Sequence, residues 1–344
     1  MKQTLVVVLL LMVGTVSAQW SPQRVDSLPL DELKPSSRNH FLLKMGEEAA
    51  GVAQEVPVIV IRGRQALPVL GIFAAIHGNE VNGIQVIREL VNGLDPKEFK
   101  GTLIAVPGLN IPALRNNQRT YPDGVDLNRI FPGKAKGNGS QQYVWQITQK
   151  LLPSLDYLVD LHTASFGREN CLYVRADFSN PKIAGLARSQ LADVYLNSGG
   201  KPSAGAAASG LTMRAQAMGM GISAITVEYG SPQVYQKEML QKGLPGLRNT
   251  LVHLGMLQGE VQPVPEPVFC KKSYWIYTTQ GGYLDVQVNL KEKLTKGQVI
   301  AVLRDPFGQT KQTYYSPEDG IVIGRSSNPI NESGGRIIHL GIRD

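Results

Sequence analysis

Short apolar runs alternate with amphipathic stretches over most of the chain, from about residue 53 to about residue 260. The apolar runs of strand length are Val58–Ile61, Val69–Ile76, Thr102–Val106, Leu155–Leu161 and Ala224–Val227. Apolar residues recur at helical spacing over about residues 80–94, 140–151, 181–197, 211–219 and 234–256. Because strands that alternate with helices pair mostly in parallel, this pattern predicts an α/β domain whose mixed, mostly parallel sheet is flanked by helices.

The pattern changes on both sides of this domain, which we place at residues 53–260. A polar lead-in occupies residues 19–52, and the proline-rich residues 261–267 predict a linker. Residues 268–344 consist of short alternating runs separated by Gly, Asn and Pro. Such runs predict a small all-β domain after the linker.

The first 18 residues have the pattern of a secretory signal peptide. Lys2 precedes an apolar run from Thr4 to Val13, and small residues follow up to Ala18. The run is too short to span a membrane as a helix, although a retained membrane anchor is the alternative interpretation. We therefore expect an exported protein, periplasmic or secreted, with no membrane span after cleavage.

The charge of the chain indicates the class of partner, and its two cysteines allow a disulfide. The chain has 35 Lys and Arg against 28 Asp and Glu, a net charge of +7 that is spread along the sequence. A nucleic-acid binder usually concentrates its positive charge, so we expect no nucleic acid. The excess favours a small acidic substrate, and an anionic surface of the cell envelope is the alternative. An exported protein could join Cys171 and Cys270 in a disulfide, and two buried thiols are the alternative.

Three of the predicted strands end next to ionisable residues. His77 and Glu80 follow one apolar run, His162 follows another, and Glu228 follows a third. Ligands of open α/β sheets bind outside the carboxyl ends of the strands. Two imidazoles and a carboxylate suit a catalytic zinc ion with one open position, and Glu228 could accept a proton from the metal-activated water.

The same residues also have plainer interpretations. The spacing of His77 and Glu80 is common by chance, and the helix dipole favours an acid at a helix start. His162 could be a hydrogen-bonded core histidine. The other histidines, expected to be structural or surface residues, are His40, His253 and His339. Residues 107–140 favour the functional interpretation, because long ordered loops rich in Asn, Pro and Gly are often functional.

Four short segments occur in order along the chain and carry a resemblance. They are His77-Gly78-Asn79-Glu80, Asp126-Leu127-Asn128-Arg129, Asp160-Leu161-His162 and Thr226-Val227-Glu228. With them the sequence resembles the zinc carboxypeptidase-like superfamily, and most closely the succinylglutamate desuccinylase/aspartoacylase family, over about residues 55–260. The α/β-then-β layout matches too, and four separated segments in one order are a specific signal.

The resemblance implies a catalytic role for five of these residues. His77, Glu80 and His162 would hold one zinc ion, and Asp126 would orient a ligand histidine from behind. Glu228 would be the general base and then the general acid toward the leaving amine.

The resemblance also implies a substrate site. Asn128 and Arg129 would bind the substrate's carboxylate, since a planar guanidinium suits bidentate pairing. Arg119 would polarise the scissile carbonyl, and Arg214, on a looser alignment, would add a carboxylate contact. A solvated loop charge is the alternative for Arg119 and Arg214.

Two departures from the family pattern lie in the wall of the expected pocket. Ile111 separates Asn110 from Pro112, where the family often has Asn-Pro together. The spacing from Arg119 to Asp126 is also longer than in aspartoacylases. These departures leave the acyl group of the substrate open and do not affect the metal site.

The C-terminal region carries a second resemblance. Residues 282–322 resemble the biotinyl/lipoyl-like barrel that ends many family members. A carrier domain has a modifiable lysine at its hairpin tip, whereas the tip here is Asp305-Pro306-Phe307-Gly308, and Lys311 is displaced from it. We therefore expect no lipoylation or biotinylation, and a role in covering one side of the active site or in oligomer contacts.

The sequence thus predicts a zinc-dependent amidohydrolase that cleaves a linear amide next to a carboxylate, as an N-acyl-amino-acid deacylase or desuccinylase-like enzyme. The alternative that export favours is a carboxypeptidase or amidase acting on peptides such as cell-wall peptides. Export matters because the desuccinylases of arginine catabolism are cytoplasmic. A third hypothesis, a non-catalytic member that binds acidic ligands, would require a lost ligand or base, and all four expected residues are present.

Overall fold

The structure of the protein is a computed structural model that describes residues 21–200, 210–264 and 266–343. The predicted signal peptide, residues 1–18, lies outside the described residues. Residues 201–209, in a Gly/Ala/Ser-rich stretch that we interpret as a turn, also lie outside the described residues.

Strands and helices alternate up to about residue 253, and strands follow. The strands are β1 (Gln23–Val25), β2 (Ser37–Glu47), β3 (Ala53–Arg62), β4 (Val69–Ala74), β5 (Thr102–Val106), β6 (Tyr157–His162), β7 (Arg168–Asn170), β8 (Leu172–Ala176), β9 (Val194–Asn197), β10 (Ser223–Tyr229), β11 (Val268–Tyr277), β12 (Gly282–Val286), β13 (Lys293–Leu294), β14 (Val299–Arg304), β15 (Thr310–Tyr315), β16 (Gly320–Ser326), β17 (Ile330–Asn331) and β18 (Arg336–Arg343). The α-helices are α1 (Asn82–Asn92), α2 (Ile111–Arg115), α3 (Gly139–Lys150), α4 (Pro181–Arg188), α5 (Met213–Gly219) and α6 (Lys237–His253).

A large mixed sheet forms the centre of the molecule, in the order β1-β2-β3-β5-β4-β6-β10-β8-β9-β11-β18-β16-β13. Its central strands β5, β4, β6 and β10 run parallel to one another. Their register aligns the carboxyl ends, since Ala74 lies opposite Leu161 and His162 lies opposite Glu228. The mixed α/β fold expected from the sequence is therefore confirmed.

Two hydrophobic cores lie on the two faces of this sheet. In β4, Leu70 and Ile72 enter the core covered by α1, α4 and α6, whereas Val69 and Phe73 enter the core covered by α3 and α5. Successive side chains of a strand point to opposite faces, so a strand buried on both faces must be apolar throughout. This requirement explains the continuous apolar runs in the sequence.

One of the sequence-based element predictions is wrong, and the sequence pattern did not predict β2. This strand lies within the expected lead-in over residues 19–52 and pairs along its length with β3. The helix expected over 181–197 ends at Arg188, and Val194–Asn197 is a strand. Leu191 has a positive φ of 50°, a conformation that no helix continues through. The sequence analysis also missed β7 and β8.

The C-terminal strands are joined to the α/β region through the backbone. β11 pairs in parallel with β9, and β18, β16 and β13 continue the same sheet beyond it. A second sheet has the order β15-β14-β12-β17, and residues 305–309 form the tip of its β14–β15 hairpin. The short strand β7, which follows the end of β6, pairs with β16. Residues beyond the expected linker therefore contact the end of the sheet where His162 lies.

Two further observations concern cysteines and membranes. Cys171 and Cys270 are both buried, and no disulfide between them is present among the described residues, which agrees with the two-thiol alternative. Among the described residues, no helix combines the length and the apolar character needed to cross a membrane.

Candidate metal centre and active site

The turn between β4 and α1 presents His77 and Glu80 at the carboxyl end of the central strands. The backbone N–H of Glu80 donates to the carbonyl of His77 over 3.1 Å, which closes the turn. A Cβ atom on Gly78 would lie 2.2 Å from the backbone of Ala113 and 2.3 Å from that of Leu114. Glycine is therefore required at this position, because only it lets the turn pack this closely against α2.

His77, Glu80 and His162 converge at one point. Oε1 of Glu80 lies 2.9 Å from Nδ1 of His77, and Oε2 of Glu80 lies 2.8 Å from Nδ1 of His162. The candidate ligand atoms of the three residues all lie within 4.8 Å of one another, and all three side chains are buried. The sequence-based expectation that these residues come together is thus met, although they are far apart along the chain.

Both imidazoles present the same ring nitrogen to this point and turn the other one to a carboxylate. Nε2 of His77 lies 3.0 Å from Oδ1 of Asp126, and Nε2 of His162 lies 3.0 Å from Oδ2 of Asp160. A carboxylate on Nε2 fixes the ring and leaves Nδ1 as an electron-pair donor. The Nδ1 atoms are therefore the atoms available to a metal ion.

The donor set fits a divalent metal ion. Nδ1 of His77 is buried and has no hydrogen-bond partner among the described residues, although it lies beside Glu80. A buried polar atom without a partner is costly unless something else satisfies it. Two imidazole nitrogens and one carboxylate oxygen are the ligands found in catalytic zinc sites that keep an open position. We therefore regard His77, Glu80 and His162 as residues that could hold zinc.

Burial and the neighbouring charges shift the pKa values of the two glutamates in opposite directions. Burial favours the neutral form of Glu80, but His77 and His162 overcome this effect and hold the pKa of Glu80 well below its usual range. Burial raises the pKa of Glu228, only partly opposed by the neighbouring His162. The two buried glutamates therefore differ, with Glu80 the one held in its ionised form.

Arg119 lies inside the site. Its guanidinium donates to Oε1 of Glu80 and to Oδ2 of Asp126, each over 2.9 Å, and also contacts the hydroxyl of Ser165. Its side chain is 28% exposed. Arg119 is therefore part of the charged network around the cluster, and the solvated alternative does not describe it.

The other expected substrate-binding residues line the same cavity. Nδ2 of Asn128 lies 3.5 Å from Nε2 of His162, and Oδ1 of Asn128 accepts from the backbone N–H of Met213 over 2.7 Å. Arg129 donates to the carbonyl of Asn128 over 2.7 Å. Arg214, which the sequence aligned only loosely, also lines this cavity and is buried. Burial, followed by the charge of a neighbouring arginine, lowers the pKa of Arg214 to about 10.

Glu228 stands at the end of β10, opposite His162 in the adjacent strand. Its Oε2 accepts a hydrogen bond from Nδ2 of Asn170 over 3.2 Å. Glu228 lines the same cavity, of about 520 Å³, as the His77–Glu80–His162 cluster. This cavity is large enough for a small acylated amino acid.

The sequence analysis assigned no role to several residues of the site. Asp160 precedes His162 by two positions in one strand, so the strand period already put both side chains on one face, and this signal was available. Arg168 and Asn170 lie in β7, whose pairing with β16 brings them to the site. No local sequence pattern indicated this pairing. His339, expected to be a structural or surface residue, lines the cavity from β18.

A protein-family model and a related protein match large parts of this chain. A family model described as the succinylglutamate desuccinylase/aspartoacylase catalytic domain matches residues 66–254. The N-alpha-acetyl-L-2,4-diaminobutyric acid deacetylase of Halomonas elongata is 28% identical over 304 residues, which is 83% of this chain and 86% of that protein.

Solved structures resemble the whole described architecture. The product-bound ectoine utilization protein EutE (DoeB) of Ruegeria pomeroyi has a TM-score of 0.80 at 24% identity, covering 90% of this chain and 97% of that one. A succinylglutamate desuccinylase of Silicibacter has a TM-score of 0.79 at 25% identity, covering 92% and 97%. Similarity at this level of identity establishes the shared fold, and chemistry must be argued from the site.

Proposed function

Because the chain belongs to the succinylglutamate desuccinylase/aspartoacylase family, we propose that it is a zinc-dependent amidohydrolase that removes the acyl group from an N-acyl amino acid. The observation that carries the proposal is the convergence of two imidazole Nδ1 atoms and the carboxylate of Glu80 in a cavity that Glu228 also lines. Relatives with this fold act on small acylated amino acids, as the name of the Halomonas elongata deacetylase states.

His77, Glu80 and His162 would hold the metal, with Asp126 and Asp160 orienting the two rings. A zinc ion, when bound, supplies Lewis-acid activation of water and of the scissile carbonyl. The protein residues hold this centre in place, because each ligand is itself fixed by a second hydrogen-bonded group.

Glu228 moves the proton in the proposed reaction. Its carboxylate takes a proton from the attacking water and delivers it to the amine nitrogen as the carbon–nitrogen bond breaks. Asn170 donates to Oε2 of Glu228, which leaves Oε1 for this transfer. The raised pKa of Glu228 favours the second half of the cycle, in which the group must be an acid.

Arg119, Asn128 and Arg129 would bind and polarise the substrate. We propose that Arg119 stabilises the negative charge that develops on the carbonyl oxygen, since its guanidinium already faces Glu80. Asn128 and Arg129, with Arg214, would hold the carboxylate beside the scissile amide.

The layout and location of the protein are part of the proposal. We propose that residues 1–18 are a cleaved signal peptide and that the mature enzyme is periplasmic or secreted. Residues 53–260 would be the hydrolase domain and 261–267 a linker. Residues 268–344 would form a biotinyl/lipoyl-like barrel that covers one side of the site.

Export favours a second candidate, an amidase or carboxypeptidase that acts on peptides such as those of the cell wall. The supporting observation is the signal-like pattern of Lys2, the apolar run to Val13 and the small residues up to Ala18. Both candidates use the same metal centre and differ in the size of the substrate.

The test is metal analysis of the purified chain joined to hydrolysis assays on a panel of N-acyl amino acids and on muropeptides. We expect about one zinc ion per chain and release of free amino acids from the panel. The variant His77→Ala should lose the zinc, whereas His253→Ala, a histidine outside the site, should keep it. A protein that stays inactive on every substrate after zinc addition would contradict the proposal, and activity on muropeptides alone would favour the second candidate.

A further inference from the structure

Arg214 is a buried cation that has no acidic partner among the described residues. Its side chain belongs to α5 and lines the cavity, and the residue is only 4% exposed. A buried guanidinium is costly unless its N–H groups are hydrogen-bonded. The groups that accept its hydrogen bonds therefore decide how the guanidinium is oriented in the cavity.

Ser198 supplies two of these acceptors. Nη1 of Arg214 donates to the carbonyl oxygen of Ser198 over 2.9 Å, and Nη2 donates to its hydroxyl oxygen over 3.0 Å. A guanidinium carries five N–H donors in one plane, so three remain after these two bonds. One edge of the fork is thus held by a single residue, and the other donors are left for an anion in the cavity.

The position of Ser198 is itself fixed by the sheet. Ser198 follows β9 directly, and its backbone N–H donates to the carbonyl of Ala176 at the end of β8 over 2.7 Å. This bond continues the parallel pairing of β8 and β9 by one residue. Ser198 also lines the cavity, so the acceptors that hold Arg214 lie on a paired strand end at the site.

The backbone of Arg214 is held from a second direction. Met213, the first residue of α5, donates its backbone N–H to Oδ1 of Asn128 over 2.7 Å. Asn128 is one of the residues proposed to bind the substrate's carboxylate. Asn128 therefore places the start of the helix, and Ser198 places the end of the side chain that the helix carries.

The two acceptors on Ser198 are neutral, which matters for the charge of the site. A carboxylate in their place would neutralise Arg214, as Glu80 and Asp126 do for Arg119. A hydroxyl and a carbonyl oxygen reduce the cost of burying the guanidinium and leave its charge in place. The side chain is therefore both fixed in orientation and free to form an ion pair with a substrate.

We propose that Ser198 is a positioning residue, which holds the guanidinium of Arg214 in the orientation that pairs with the carboxylate beside the scissile amide. This inference rests on the proposed function, which takes Arg214 as one of the residues that bind this carboxylate. Ser198 acts through Arg214 and does not contact the reacting atoms. It thereby affects how tightly the substrate is bound and leaves the chemical step unchanged.

Substitution Ser198→Ala removes the hydroxyl acceptor and keeps the carbonyl. With N-acetyl-L-alanine as substrate of the zinc-loaded full chain, we expect KM to rise roughly 10-fold while kcat stays within a factor of about two. Ser198→Thr keeps a hydroxyl and should restore KM. The matched control is Ser154→Ala, a half-buried serine that lies outside the cavity and should behave as the wild type. An unchanged KM in Ser198→Ala would contradict the proposal.

A double-mutant cycle with Arg214→Gln shows whether Ser198 acts through the arginine. Arg214→Gln alone should raise KM at least as much as Ser198→Ala does. Adding Ser198→Ala to Arg214→Gln should then change KM by less than about two-fold, because the group that Ser198 holds is gone. An effect of Ser198→Ala that is equally large with and without Arg214 would assign it a different role and overturn the proposal.

A binding measurement keeps this inference and the proposed function distinguishable. Calorimetric titration of zinc-loaded Glu228→Gln protein with N-acetyl-L-alanine and with N-acetyl-L-alaninamide does not depend on turnover. We expect the carboxylate to bind at least about 10-fold more tightly than the amide, and Ser198→Ala to remove most of the difference. A preference that depends on Ser198, in a chain whose wild type hydrolyses no substrate, would keep the positioning role and reject the hydrolase. Hydrolysis with a preference that is independent of Ser198 would keep the hydrolase and reject the positioning role.

Discussion

Asp160 illustrates how a residue that touches no substrate can set the behaviour of the site. It lies two positions before His162 in β6, on the same face of the strand, and its Oδ2 is 3.0 Å from Nε2 of that histidine. Asp126 has the same relation to His77 from a different part of the chain. A carboxylate behind an imidazole fixes the tautomer and increases the electron density on the nitrogen that faces the metal.

Substitution Asp160→Asn tests this relation. The amide can still accept a hydrogen bond from His162 but carries no charge, so we expect zinc affinity to fall roughly 10–100-fold. The measurement is competition for zinc against a chelator of known affinity. Activity should return at high zinc concentration, because the catalytic groups remain. An affinity equal to that of the wild type would mean that Asp160 has no role beyond packing.

Substitution Glu228→Gln separates proton transfer from metal binding. Gln keeps the shape and the contact with Asn170 but cannot accept a proton, so kcat should fall by roughly 10²–10⁴. Zinc content, measured by elemental analysis, should equal that of the wild type, because Glu228 is not among the three converging ligand residues. Loss of zinc together with activity would show that Glu228 is part of the metal site instead.

At the scale of elements, the short strand β7 connects the C-terminal region to Glu228, the proposed general base. Gly324 of β16 lies opposite Asn170 in this pairing, and Asn170 donates to Glu228 over 3.2 Å. A Cβ on Gly324 would lie 2.3 Å from Oδ1 of Asn170, far inside van der Waals contact. The absence of a side chain at residue 324 therefore permits the hydrogen bond at residue 228.

Substitution Gly324→Ala should push Asn170 away from Glu228. We expect kcat to fall several-fold to roughly 100-fold while zinc content stays constant, since small misplacements of catalytic groups are costly. Gly219→Ala, where a Cβ meets no atom within 4 Å, is the matched control and should behave as the wild type. Because the change could also lower stability, thermal unfolding is measured in parallel. Unchanged kcat in a folded Gly324→Ala protein would contradict the positioning role of this pairing.

At the scale of the whole molecule, the candidate metal centre joins parts of the chain that are distant in sequence. His77 and Glu80 follow β4, and His162 ends β6, so their convergence requires the completed parallel sheet. Any ligand that binds only the folded state stabilises it by mass action, by about 2.7 kcal/mol at 100 times its Kd.

Zinc should therefore raise the midpoint of thermal unfolding by several degrees, and a chelator should reverse the change. Differential scanning calorimetry with and without zinc measures this effect. The variant His77→Ala should show no zinc-dependent shift, whereas His253→Ala should shift as the wild type does. A wild-type midpoint that does not respond to zinc would argue against a metal centre in the folded protein.

The sequence by itself determined the alternation of strands and helices and the ends of the strands at which chemistry is found. Strands buried on both faces must be apolar, so the continuous apolar runs of the sequence predicted β4, β5, β6 and β10. The residues His77, Glu80, His162 and Glu228 stood directly after such runs, where a parallel sheet brings its carboxyl ends together.

Only the tertiary structure decided what surrounds these residues. The short strands β7 and β8 show no periodic pattern of apolar residues, and β2 lies in a segment that is polar overall. An edge or short strand is stabilised by pairing with its partner strand, so its own sequence pattern does not predict it. The side of the cavity that Arg168, Trp275 and Arg336 line is assembled from β7, β11 and β18. β7 pairs with β16 about 150 residues later in the chain, and β11 pairs with β18 about 60–70 residues later. A local sequence pattern records which side chains a strand buries, whereas the contacts between strands depend on the energy of the complete fold.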